Sequence, residues 1–203
     1  VVEIHGRERL TGVTIAQVDE RRRPIPETRE YIACDTLLLS VGLIPENELT
    51  RGAGIPIDPI TNGALVDENC QTQVPGIFAC GNVLQVHDLV DYVSEEAERA
   101  GKGAAAYITG LKSASVNIAT KPGDGVRYVL PQRIQNVNED VSVFFRVAKP
   151  FGQVRIVVFD DNGNTLATAK RLKVAPGEME KVTLKTDVLK NVQGKIYVRL
   201  EVL

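Results

Sequence analysis

The 203-residue sequence predicts an α/β fold followed by a small all-β sandwich. Residues 1–116 alternate short apolar runs with one long helical segment. Residues 117–203 contain about six short strand-like runs with almost no helical periodicity, a pattern typical of a sandwich. The glycine- and proline-rich stretch 121–125 lies near this change in texture. We therefore predict two domains, 1–116 and 117–203.

Composition excludes several classes of function. A net charge of −2 gives no electrostatic case for nucleic acid, whose binding depends on neutralising phosphates. The longest apolar run, 36–44, is far shorter than the roughly 20 residues that a membrane span needs. The cysteines, Cys34, Cys70 and Cys80, are far apart and include no C-x-x-C pair. This spacing predicts no dithiol centre and no metal site, and it favours a reducing cytoplasm.

The first elements are short strands. Residues 2–4, 12–18 and 31–34 predict a three-stranded antiparallel meander, with an arginine-rich solvated turn at 21–24. Residues 35–42 form a continuous apolar run without alternation, which predicts a strand covered on both faces.

Short elements and one long helix follow. We predict a short helix at 46–49 and short strands at 64–66 and 77–79. The long helix is predicted over 94–109, with Ser94 as its N-cap, two glutamates in its first turn and Gly110 at its C-terminal end.

Two glycines inside that helix predict close packing. Gly101 and Gly103 each cost about 1 kcal/mol relative to alanine in a helix interior. The expected compensation is a close approach of the helix to a neighbouring strand.

The second domain is predicted to consist of strands, with almost no helical periodicity. Residues 113–125 read as a loop, and 160–164 and 175–178 carry hairpin-loop residues. The predicted strands are 127–130, 141–147, 153–159, 165–174, 179–186 and 195–202.

Residues 72–82, T-Q-V-P-G-I-F-A-C-G-N, carry the strongest functional signal. A short apolar strand runs directly into Gly81 and Asn82. Glycine has no Cβ, so the backbone can approach a ligand closely. The short polar side chain of Asn82 can then meet a sugar-like hydroxyl group.

Three segments in this order resemble the pyridine nucleotide-disulphide oxidoreductase family of flavoproteins with two dinucleotide domains. Residues 35–45 are similar to the return from the nicotinamide domain to the flavin domain, 72–82 to the second flavin-binding motif, and 94–103 to the helix that follows. The resemblance implies a partial FAD/NAD(P)-binding Rossmann-type fold. Residues 1–34 would end the nicotinamide domain, and 35–116 would return to the flavin domain.

The resemblance also implies a cofactor site. In the family an aspartate at the Asn82 position binds the ribityl chain of FAD, so asparagine implies a weaker bond. The next helix points its N-terminus at the flavin ring, where its partial positive charge stabilises the reduced form. The implied FAD contacts are Gly81, Asn82, Val83, Val93, Ser94 and Glu95. No catalytic residue is assigned.

Two other residues leave alternatives open. His87 lies in an insertion, 84–92, where it could donate a proton beside a flavin or serve as a surface or capping residue. Cys80 suggests redox chemistry, but a structural cysteine in an apolar strand is the commoner situation.

The predicted function is part of a flavoprotein oxidoreductase that passes hydride or electrons between NAD(P)H and FAD and on to a partner. No G-x-G-x-x-G is present, and the chain opens at Val1 within a strand, so we expect a fragment that is inactive alone. Segments 81–88, 126–132 and 174–179 resemble a branch from anaerobic bacteria that lacks the redox dithiol.

That branch implies specific partners. They are a glycerol-3-phosphate dehydrogenase-like flavoprotein subunit and a small cysteine-rich protein, with the sandwich serving in docking or in a homodimer. The alternative is a non-catalytic interaction module with a degenerate nucleotide-binding fold and a β-sandwich docking domain.

Overall fold

The computed structural model describes residues 1–110 and 115–203, and these residues are mostly β-strand with few helices. Residues 1–42 and 43–203 form two compact units. The first contains strands β1 (Glu3–His5), β2 (Gly12–Ile15) and β3 (Glu30–Ala33). They pair antiparallel in the order β1-β2-β3, which confirms the predicted meander.

The strand predicted at 35–42 is wrong. These residues have no regular structure, and Leu38 and Val41 are 90% and 87% exposed. An apolar run becomes a strand only when a neighbouring backbone supplies the ladder. Within residues 1–110 and 115–203 no strand pairs with this segment.

The helices of the second unit are α1 (Glu48–Gly52), α2 (Val90–Ile108) and α3 (Thr186–Leu189), counted over the described chain. The short helix predicted at 46–49 corresponds to α1. The strands predicted at 64–66 and 77–79 are wrong, because their residues form only isolated bridges. These bridges are Ile57 with Ala64, Val66 with Thr72 and Gln71 with Phe78.

Helix α2 begins four residues earlier than predicted. Its N-cap is Leu89, and Ser94 lies in the second turn rather than at the cap. Serine is a favoured N-cap, but Asp91 already places a negative charge in the true first turn, where it complements the helix dipole. The predicted C-terminal stop is confirmed: Gly110 has φ +67° and its N–H donates to the Tyr107 carbonyl.

The remaining strands form two sheets. The five-stranded sheet has the order β6-β4-β11-β8-β9, and the three-stranded sheet has the order β10-β7-β5. All pairs are antiparallel except β4 with β11. The strands are β4 (Ser115–Pro122), β5 (Val126–Leu130), β6 (Arg133–Asn136), β7 (Val141–Val147), β8 (Val154–Asp160), β9 (Thr165–Arg171), β10 (Glu180–Leu184) and β11 (Gly194–Val202).

Strands β4 and β6 were not predicted. Strand β4 ends at Pro122, inside a stretch that reads as a loop, and its apolar residues are separated by polar ones. Ile118 is nevertheless fully buried, in one core to which both sheets contribute. The loop predicted at 113–125 therefore contains a strand, and residues 111–114 lie outside the described chain.

A second core joins the two predicted domains. Side chains that precede α2 pack there against residues of β5, β7 and the loop before β10. The members are Ile55, Ala64, Val66, Leu84, Tyr128, Leu130, Phe144 and Met179. Residues on both sides of position 116 thus belong to one compact unit.

Candidate functional site

The centre of the candidate site is a tight turn after Cys80. Residues Gly81–Val83 form a single turn of 3₁₀ helix. Gly81 is buried with φ +73°, and a Cβ added to it would lie 3.6 Å from Val93 Cγ1. That distance is an ordinary contact, so the backbone conformation requires glycine more than the space does.

The carboxylate of Glu96, on α2, anchors this turn. Glu96 is only 4% exposed, and its Oε2 accepts the Gly81 N–H at 2.6 Å. Its Oε1 accepts a hydrogen bond from Gln85 Nε2 at 3.3 Å and lies 3.5 Å from His87 Nε2. A buried carboxylate is costly unless partners surround it, so this side chain, the turn and the following loop depend on one another.

Glu96 was not predicted as a site residue. The signal is in the helical spacing, because Glu96 falls between Val93 and Ala100 on the face of α2 that packs inward. A charged residue inside an apolar stripe indicates a buried, partnered carboxylate.

Asn82 is exposed at the tip of the turn. Its Oδ1 accepts the backbone N–H of His87 at 3.1 Å. Because a backbone N–H requires an acceptor, this bond fixes the amide orientation and leaves Nδ2 to donate outward. The neighbouring Val83 carbonyl accepts from Asn47 Nδ2 at 2.7 Å, which ties the turn to the start of α1.

The structure places the other predicted FAD contacts on α2. Val93 is half-buried beside Gly81, Ser94 is exposed, and the Glu95 carboxylate pairs with Lys181 Nζ at 2.5 Å. The N–H groups left open at the start of α2 belong to its first turn, 89–92, since the helix begins at Val90. The capping role predicted for Ser94 is therefore wrong, while contact of these residues with FAD stays a prediction.

His87 is not a surface residue. Its side chain is 3% exposed, and its Nδ1 is buried without a hydrogen-bond partner among the described residues. Gln85 Oε1 is in the same situation. Both residues line a cavity of about 470 Å³. A role of His87 as a proton donor remains a hypothesis.

The cysteines near the turn favour a structural role. Burial raises the pKa of Cys70 to about 12. Burial, together with the Glu96 charge, also raises the pKa of Cys80. Since the thiolate is the reactive form, neither side chain is poised for redox chemistry near neutral pH.

The described residues contain neither a cluster that could hold a metal ion nor a helix suited to crossing a membrane. No group of three or more His, Cys, Asp or Glu side chains in 1–110 and 115–203 could hold a metal ion. None of the helices described is both long and apolar enough to cross a bilayer.

Residues 1–104 match the family described as pyridine nucleotide-disulphide oxidoreductase, which is 104 of the 203 residues. The chain belongs to this family, and the predicted family membership is confirmed. Proteins of the family use FAD and NAD(P)H, so the cofactor prediction is confirmed at the level of the family.

Several relatives are similar over short stretches. A probable ferredoxin reductase of Castellaniella defragrans is 33% identical over 85 residues, 40% of this chain and 20% of that protein. The mitochondrial dihydrolipoyl dehydrogenase of Caenorhabditis elegans is 41% identical over 58 residues, 28% of this chain and 12% of that protein. An NADH oxidase of Streptococcus pyogenes is 32% identical over 91 residues, 43% of this chain and 19% of that protein.

The chain therefore spans a fifth or less of the length of these relatives. No solved structure matches the chain significantly.

Proposed function

We propose that the chain contributes one side of the FAD site of an NAD(P)H-dependent flavoprotein oxidoreductase. The observation that carries the proposal is the Gly81–Val83 turn, which buried Glu96 anchors and which leaves the Asn82 amide exposed in a member of this family. The short share of each relative that the chain covers supports a site completed by further residues.

The residues of the chain have distinct roles in this proposal. Asn82 Nδ2 donates to a ribityl oxygen, and the first turn of α2 directs its partial positive charge toward the polar edge of the cofactor. FAD, when bound, would supply the acceptor for hydride from NAD(P)H. The protein then contributes binding and orientation.

The finer assignments are also proposals. We assign 1–34 to the end of a nicotinamide domain and 35–116 to a Rossmann-type flavin domain. The match of residues 1–104 to the family supports these assignments. Residues 117–203 remain assigned to a β-sandwich domain.

The anaerobe branch, and electron transfer to a glycerol-3-phosphate dehydrogenase-like subunit or a small cysteine-rich protein, are proposed from the same resemblance. A cytoplasmic location is proposed from the cysteines. The unpaired Cys34, Cys70 and Cys80, all free thiols, support the reducing compartment.

The test is FAD retention by the longest natural polypeptide that carries these residues. We expect wild type to retain FAD and Asn82→Ala to bind it about tenfold more weakly, the effect of one lost hydrogen bond. Gly81→Val should bind less still, because φ +73° strains a β-branched residue. Asn138→Ala, at an exposed asparagine of the sandwich, is the control and should bind as wild type.

A wild-type polypeptide that takes up no FAD on reconstitution would refute the proposal. The non-catalytic interaction module would then be the better description.

A further inference from the structure

The sandwich contacts the loop that follows the Gly81–Val83 turn through one side chain. Arg146, on β7, is mostly buried, with 13% of its side chain exposed. We propose that Arg146 is a positioning residue that sets this loop, 84–88, and through it the Asn82 amide. The proposal rests on the FAD site proposed above.

Arg146 makes four hydrogen bonds. Within the sandwich, its Nε donates to Tyr128 Oη at 3.1 Å and its Nη1 to the Pro176 carbonyl at 2.9 Å. Toward the loop, its Nη2 donates to the Val86 carbonyl at 2.9 Å and to Asp88 Oδ1 at 3.1 Å. Nε and Nη1 thus hold the guanidinium group against the sandwich, while Nη2 binds the loop.

A second bond attaches the same part of the loop. Asp88 Oδ2 accepts the backbone N–H of Met179 at 3.2 Å, so both carboxylate oxygens of Asp88 bind residues of the sandwich region. On the opposite side, the Glu96 carboxylate contacts the loop through Gln85 and His87. The loop is therefore fixed from two directions.

The effect on Asn82 passes through one peptide group. Arg146 and Asp88 fix the residues immediately before and after His87, and so fix the direction of the His87 N–H. That N–H is the group that Asn82 Oδ1 accepts. When it moves, the Asn82 amide loses the bond that turns Nδ2 outward.

Lysine cannot replace Arg146 in this arrangement. The planar guanidinium reaches four acceptors in fixed directions, whereas an ammonium group is a compact charge without that geometry. Arg146→Lys therefore keeps the positive charge and removes the geometry. Tyr128→Phe, a milder variant, removes only the Nε bond.

The first experiment measures hydrogen exchange at loop amides 83–88 in flavin-free protein. We expect Arg146→Lys to speed exchange of the His87 amide about tenfold or more, with a smaller increase in Tyr128→Phe. Arg155→Lys is the matched control, since Arg155 forms an exposed pair with Glu201 on β11 at 3.6 Å. Unchanged exchange in Arg146→Lys refutes the positioning role, whether or not FAD binds.

The second experiment uses the FAD-loaded natural polypeptide and compares FAD affinity, the visible circular dichroism of the flavin and its midpoint potential. Arg146→Lys should bind FAD about tenfold more weakly, with an altered flavin dichroism and a shifted potential, while Arg155→Lys matches wild type. A looser loop with wild-type affinity, spectrum and potential would make Arg146 a structural residue only and overturn the inference. Failure of the wild type itself to bind FAD refutes the proposed function instead.

Discussion

Burial controls the charge of Glu68, a side chain outside the candidate site. Glu68 is 7% exposed, and its Oε2 accepts the Gln135 N–H at 2.8 Å. Burial, reinforced by the neighbouring Asp67 carboxylate, raises the pKa of Glu68 to about 7, although the Gln135 bond opposes the shift. The group therefore takes up a proton in the folded state at a pH where the unfolded chain is ionised.

This shift predicts a pH-dependent stability. Between about pH 4.5 and 7 the folded state binds more protons than the unfolded state, so the Glu68 contribution to stability falls as the pH rises. In the wild type, Glu68 should lower the free energy of unfolding by roughly 3 kcal/mol as the pH rises through this window. Glu68→Gln should abolish that decrease. Urea unfolding at pH 5 and pH 8 measures it, with Glu139→Gln at an exposed position as the control. An equal loss in Glu68→Gln and wild type would contradict the prediction.

The sequence identified only part of the candidate site at the level of residues. Gly81 and Asn82 lie in a recognisable motif, because the turn itself requires these residue types. Glu96 and Arg146 could not be assigned in this way. Their roles depend on distant partners, the Gly81 amide and the Val86 carbonyl, which only the folded chain brings near.

At the level of elements, the two glycines of α2 provide a matched test. A Cβ on Gly103 would lie 2.7 Å from the Asn69 carbonyl oxygen, whereas nothing lies within 4 Å of a Cβ on Gly101. Close packing is thus confirmed for Gly103, although the neighbour is the turn at Asn69 and not the predicted strand, and it is wrong for Gly101. Gly101 is exposed on the helix surface.

We therefore expect opposite effects of the same substitution. Gly101→Ala should stabilise the protein by up to about 1 kcal/mol, the gain in helix propensity. Gly103→Ala should destabilise it by about 1–3 kcal/mol, because the clash is with backbone. Denaturant unfolding of the two variants beside wild type measures both changes, and a loss of stability in Gly101→Ala would show a packing role at that position.

Elements with strong local signals were predicted best. Strand β7, Val141–Val147, has the bounds expected from its alternating pattern, and β11 differs by one residue at its start. Errors arose where tertiary context decides. The predicted start of α2 was too late because Ser94 resembles an N-cap. Strand β4 was missed because it pairs in parallel with β11, more than 70 residues away along the sequence.

At the scale of the whole molecule, residues 43–110 and 115–203 share a buried core. We therefore expect the two segments to unfold together. Leu84, 1% exposed and next to the Gly81–Val83 turn, packs in one cluster with Tyr128 and Leu130 of β5 and Phe144 of β7. A common core couples the stabilities of the segments that build it. The boundary predicted near residue 116 would then not separate two unfolding units.

Leu84→Ala tests this coupling. We expect a loss of about 2–5 kcal/mol, the usual cost of a buried leucine truncation, since a cavity remains in the shared core. Hydrogen exchange should show reduced protection in β5 and β7 together with residues 64–84, because Tyr128 and Phe144 belong to the same buried cluster as Leu84. Leu172→Ala, at a residue 79% exposed, is the control and should leave protection unchanged. Wild-type protection of β5 and β7 in Leu84→Ala would instead show that these strands unfold independently of residues 64–84. Arg146, on β7, would then position the loop from a separately stable part of the chain.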